Sequence, residues 1–243
     1  MKIDNIRFNL FIPKLNNIRS LYNFIENELK EYFFAPFNIL PIPDDAPEEI
    51  PRIIAKSKNG HSELSISLVN IQMTIQFDEN FNTDIEKCFS YILERINKVV
   101  DTFGKYSNET FLFSGITSRI IIDDVEEPIE FLTKNCIKIK SNKDMYNASA
   151  KFAYLLEDKY FVNYNIYNLR KFEGILNQAS IKPSIRELSN NLAIEIDVND
   201  KYGYNHNEGH LCTKETIINI IDIIKKNISS NINNILEGRE LML

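Results

Sequence analysis

Cysteine and glycine are scarce in this chain, with three and seven in 243 residues. Cys88, Cys136 and Cys212 lie far apart and are odd in number. That pattern fits reduced thiols better than a disulfide framework, so a cytoplasmic protein is expected. The glycines are scattered, which leaves no glycine-rich loop to cradle a phosphate. Long apolar runs are missing too. No segment approaches the roughly 18 apolar residues that cross a membrane, so no membrane partner is expected. The opening MKIDNIRFNLFIPK alternates polar and apolar residues and lacks the continuous apolar core of a signal peptide. Positive charge is in deficit, with a formal net charge of -6. A non-specific nucleic-acid binder needs clustered Lys and Arg to displace counterions, so nucleic acid is not indicated. Gly-x-Ser-x-Gly, His-Glu-x-x-His and Cys-x-x-Cys are all absent.

What is present is strong patterning. Ile6, Phe8, Leu10 and Ile12 alternate with polar residues, as in a strand with one buried face. Ile18, Leu21, Tyr22, Ile25, Leu29, Tyr32 and Phe33 then share one helical face. Residues 36–51 hold five of the eight prolines and the acidic Asp44, Asp45, Glu48 and Glu49. Such a strap cannot be helix or central strand and reads as an extended connector. Strands follow over Pro51–Lys58, around Leu64–Leu68 and around Ile71–Phe77. The first two are joined by Lys58-Asn59-Gly60-His61, with His61 expected to face solvent. Thr83 and Glu86 form the pattern of a capping box ahead of a long helix ending at Gly104.

The second stretch repeats the order. A strand at 110–123 contains Gly115, which marks a bulge or a close backbone approach. Pro128 opens a short helix. Ala148–Glu157 pairs with Tyr160–Asn168, whose Tyr160, Val162, Tyr164 and Ile166 face the core. Residues 174–190 read as a polar connection containing Pro183. Leu192–Val198 alternates again, and a long helix runs from Thr213 to Gly238. The expected fold is therefore α+β. It has two pseudo-repeated β-α-β-β-β-α halves, 1–106 and 107–243, with antiparallel sheets each packed by a long helix. The sheets either lie side by side or form one continuous sheet.

The halves differ after their last strands. Asp78 and Asp197 occupy equivalent places, but the second half carries an inserted loop at 200–212. This loop holds His206, Glu208, His210 and Cys212, with Asp197 and Asp200 beside it. Imidazole, carboxylate and thiolate are the side chains that hold zinc and similar ions. Gly203 and Gly209 argue for a loop, which weakens the helical i,i+4 spacing of the histidines. Arg119, a strand arginine, is an anion binder or an ion-pair partner. The candidate ligand- or partner-binding residues are Asp197, Asp200, His206, Glu208, His210 and Arg119. His206 and His210 are the ligands if a metal binds, and no cofactor is expected.

Three segments carry a resemblance: Pro51-Arg52-Ile53 after the proline-rich strap, Gly115-Ile116-Thr117-Ser118-Arg119-Ile120, and Ile194-Glu195-Ile196-Asp197-Val198 before a long helix. In these the chain resembles a sporadically distributed, uncharacterised family of bacterial proteins of similar length. The resemblance implies an accessory or interaction role in bacteria. The expected function is a non-catalytic binding or interaction protein of a bacterial or phage accessory system, with a defence role as one version. Another protein is the expected partner, and a homodimer is compatible with this. One alternative is a metal-dependent hydrolase or nuclease using the 197–212 cluster. The other is a small-ligand binder with its pocket between sheet and helix.

Overall fold

The computed structural model describes residues 1–43, 45–139, 142–175 and 184–242. Asp44 of the strap and Pro183 lie outside the described residues. Period-2 alternation becomes strand throughout. In chain order these are β1 (Lys2–Phe11), β2 (Asn38–Ile39), β3 (Ile53–Lys56), β4 (Ser62–Ile66), β5 (Asn70–Ile75), β6 (Phe113–Ile122), β7 (Ser149–Leu156), β8 (Tyr160–Ile175) and β9 (Ser184–Asn199). They form one nine-stranded sheet in the order β2-β3-β4-β5-β1-β6-β9-β8-β7. Every pairing is antiparallel. Of the two arrangements expected, the continuous sheet is the one found, with β1 and β6 joined at its centre through partners such as Ile6 and Ser118. β8 and β9 extend well into the segment read as a polar connection, because Arg170–Glu173 pair with Arg186–Asn190 across a bulge.

The helices are α1 (Tyr22–Leu29), α2 (Ile85–Ser107), α3 (Pro128–Phe131), α4 (Lys201–His206), α5 (Lys214–Lys226) and α6 (Ile232–Glu237). α5 packs on β6 and β9, and α2 packs on α5 and α1. Ion pairs fix the direction of the α2–α5 contact. Lys214 meets Asp101 at 2.6 Å and Lys225 meets Glu86 at 2.6 Å, so the start of each helix lies beside the end of the other. One buried cluster joins Ile6, Phe8 and Leu10 of β1, Met73 of β5 and Ile194, Ile196 and Val198 of β9. Ile92, Ile96 and Val99 of α2 and Ile217, Ile220 and Ile224 of α5 complete it. Burying such side chains contributes roughly 1.5–3 kcal/mol each, which is why the apolar stripe governs helix placement. No described helix is long and apolar enough to cross a membrane.

Several local expectations need correction. The cap of α2 is Asp84, whose carboxylate accepts from Lys87 N at 3.0 Å, not Thr83. Gly104 lies inside α2, and Asn108 at φ 50° closes it. The helix expected from Thr213 to Gly238 is interrupted by a π-helical turn at Asn227–Asn231. The interruption has a polar cause. Buried Asn227 and Asn231 turn inward onto the Tyr164 hydroxyl, which donates to Asn227 Oδ1. Asn231 also holds the tail, accepting from Met242 N at 2.8 Å. Burial pushes the Tyr164 hydroxyl pKa up to about 12. His61 is not solvent-facing in its turn; its ring packs among Phe77, Phe81 and Tyr91.

The proline-rich strap has a defined anchor. Arg52 is 1% exposed, and among the described residues its guanidinium partners are backbone carbonyls. It donates to Ile50 O at 2.7 Å, Ala46 O at 3.2 Å and Pro47 O at 3.3 Å. The strap is thus tied to the outer edge of β3, where the two residues of β2 pair. Proline there suits an edge that must not accept further strands.

Candidate functional site

Antiparallel pairing places cross-strand partners on the same face of a sheet, so register decides which polar residues meet. One row runs Ala153, Asn163, Asp197, Thr117, Arg7 across β7, β8, β9, β6 and β1. The next runs Lys151, Asn165, Glu195, Arg119, Asn5 over the same strands. Both rows lie on the face opposite the buried cluster, and from Asn163 to Arg119 their side chains are half-buried.

Asp197 is the hub of the first row. Its Oδ1 accepts from Thr117 Oγ1 at 2.9 Å. Its Oδ2 accepts from Asn163 Nδ2 at 2.8 Å and from Asn199 Nδ2 at 2.7 Å. Gly115 makes this possible, since a Cβ there would lie 2.9 Å from Asn199 Cβ. The glycine expected to mark a bulge or a close approach therefore marks a close approach. In the second row Arg119 Nε donates to Asp4 Oδ2 at 2.7 Å, and Lys171 reaches the same carboxylate at 3.5 Å. Burial opposes the charge of Arg119, but hydrogen bonds to Asp4 and Tyr167 outweigh it and hold the pKa above its ordinary value.

A groove of about 360 Å³ opens over these rows, lined by Lys151, Ala153, Asn163, Asn165, Glu195 and Asp197. A second hollow of about 480 Å³ continues from it past Lys151 and Asn165 to Tyr167 and Arg170. Asn165 Oδ1 sits where the two meet and is buried without a hydrogen-bond partner. A buried acceptor of this kind favours an incoming donor. The groove therefore offers fixed acceptors and, at Lys151, a cation.

The histidine-bearing segment is arranged otherwise. Residues 201–206 are helical, not loop, and the ring of His210 fills the space beside Gly203. A Cβ on Gly203 would lie 2.7 Å from His210 Nδ1. His210 Nε2 meets Asp200 Oδ2 at 2.8 Å, with side-chain exposures of 6% and 0%. Asp200 Oδ1 accepts from Ser114 N at 2.6 Å. Cys212 Sγ lies 3.3 Å from Ser114 Oγ, and both residues are buried. Burial, and then the charge of Asp200, push the Cys212 thiol pKa far up. A Ser, a His and an Asp thus adjoin, but the second ring nitrogen of His210 faces Gly203 and not the serine hydroxyl. The geometry of a hydrolytic triad is not met.

Of the candidate residues, the structure brings Asp200 and His210 together. Asp197 and Arg119 stand in adjacent rows of the polar face. His206 stacks on Tyr202 at 4.4 Å, and Glu208 is exposed on the following turn. Among the described residues, no group of three His, Cys, Asp or Glu side chains is placed to hold a metal ion. Sequence reasoning missed Lys151, Asn163, Asn165, Glu195 and Asn199 as site residues. The polar half of each strand's alternation was the available signal. Compared with known proteins, the chain matches no family model and no curated protein.

Proposed function

We propose that the chain is a non-catalytic binding protein of a bacterial or phage accessory system, contacting another protein through the polar face of β6–β9. The observation that carries this reading is the pair of rows built around Asp197 and Arg119. Asp197, Thr117, Asn163 and Arg119 are held by hydrogen bonds before any partner arrives, so little ordering entropy is lost at these residues on contact. The unpartnered Asn165 acceptor and the adjacent Lys151 and Glu195 supply polar recognition at its centre.

The same proposal includes an origin by duplication. From the β1–β6 seam outward, each side meets the first strand of its half, then the last, then the one before it. A long helix follows the last strand in each half, α2 after β5 and α5 after β9. On this reading each helix covers its own half of the sheet, and the binding face belongs to the second half alone. The resemblance to the sporadically distributed bacterial family supports an accessory role.

The test is co-expression of the chain with the products of the genes flanking its own, followed by affinity purification. We expect one product to be retained by the wild-type chain and released by Glu195→Lys or Lys151→Glu, with unchanged melting temperatures. Retention indifferent to both charge reversals would sink the proposed face. Failure of every flanking product to bind would sink the proposed role.

A further inference from the structure

The two edges of the sheet are built differently. β2 ends one edge with two residues and lies within the proline-rich strap. β7 ends the other with eight residues, no proline and a single charge, Lys151. Its register with β8 runs without a bulge from Ser149 to Leu156. No described strand pairs with its outer side. Proteins ordinarily blunt such an edge with proline, bulges or several charges, because a row of unpaired amides and carbonyls recruits another strand. β7 has none of these beyond Lys151, and it exposes Tyr154 and Leu155 at 37% and 42%.

We infer that β7 is the pairing edge of a homodimer, in which two copies join their sheets antiparallel through this strand. The occupant follows from self-complementarity. A two-fold axis perpendicular to the sheet keeps the same face upward in both copies, so a residue opposes only one on its own face. Centred on Ala153, the pairing sets Phe152 against Tyr154 of the second copy on the helix side. On the polar side it sets Lys151 against Leu155. No like charges face each other. Aromatic cross-strand pairs are among the contacts that stabilise antiparallel neighbours. The inference stands on the strand edge; Lys151 and Ala153 also line the groove of the polar face, and sedimentation of the chain alone reads the dimer apart from the partner proposed there.

Sedimentation velocity of the full chain over a concentration series tests it. An edge-only interface is small, so a concentration-dependent dimer is expected. Ala153 is exposed, so its replacement leaves the monomer's core intact. Ala153→Lys and Ala153→Glu each place like charges at the two-fold axis and are expected to sediment as monomers with unchanged melting temperature. Mixed in equal amounts, the two variants are expected to recover the dimer. A wild-type chain that stays monomeric throughout would overturn the inference. So would a dimer indifferent to both substitutions, or a mixture that does not reassociate.

Discussion

Replacing Asp200 separates a structural latch from a reactive centre. The carboxylate is fully buried and serves two donors on separate parts of the chain. Ser114 N, at the start of β6, reaches it at 2.6 Å, and His210, beyond α4, reaches it at 2.8 Å. Asp200→Ala strands both. Leaving a buried donor without its acceptor costs about 1–3 kcal/mol, so stranding both costs about 2–6 kcal/mol. For a chain of this size each kcal/mol lowers Tm by roughly 2–4 °C, so a fall of about 4–24 °C is expected.

Thermal unfolding followed by circular dichroism reads the loss. Because the two residues act as a pair, Asp200→Ala combined with His210→Ala is expected to cost less than the sum of the single changes, by about 0.5–3 kcal/mol. Gly203→Ala is the check from a third position. Its methyl group would lie 2.7 Å from His210 Nδ1, and the ring cannot retreat without leaving Asp200. Overpacking of this sort costs about 1–3 kcal/mol. Single changes at Asp200 and His210 that each alter stability by less than about 1 kcal/mol, or that simply add, would refute the latch.

Arg52→Met keeps most of the buried stem but removes the donors to Ile50 O, Ala46 O and Pro47 O. We expect a loss of about 1.5–3 kcal/mol and proteolytic cutting within residues 36–51, while an uncut strap at full stability would count against the anchor. The thiols give a pH prediction. Burial raises Cys88 to about 12 and also raises Cys136, while burial and then the charge of Asp200 raise Cys212. In native protein near pH 8 we expect half-buried Cys136 to react first with a disulfide reagent, and all three thiols to react after unfolding. A raised thiol pKa means that the unfolded chain releases protons the folded chain retains. Stability should therefore fall as pH rises above roughly 8.5, the ordinary thiol value. Rapid native labelling of Cys88 or Cys212, or a Tm that climbs from pH 8 to 10, would contradict the burial argument.

The strands were legible because each carries a one-residue alternation that only an extended chain can sort onto two faces. Ile194, Glu195, Ile196 and Asp197 are enough to say which side is core. That the strands join in one sheet was not legible. The β1–β6 seam pairs Ile6 with Ser118 across more than a hundred residues of chain, and nothing local distinguishes a central strand from an edge one. The π-helical turn left a trace, since Asn227 and Asn231 interrupt a stripe of isoleucines four residues apart. Their target, the Tyr164 hydroxyl, lies on a strand that only the fold brings near.

The candidate site illustrates the same limit more sharply. His206, Glu208 and His210 attracted notice because metal-binding types crowd a short segment, and crowding is all that a linear string displays. In the folded chain His210 is committed to Asp200, and His206 stacks on Tyr202. Asp197 instead meets Thr117, Asn163 and Asn199, two of them on other strands. A site spread over a sheet face is written in the sequence at intervals set by register, one residue per strand. Its members are ordinary Asn, Thr and Lys, none remarkable alone, and only the pairing of β6 through β9 makes them neighbours. The polar half of an alternating strand therefore repays the attention usually given to histidine-rich loops.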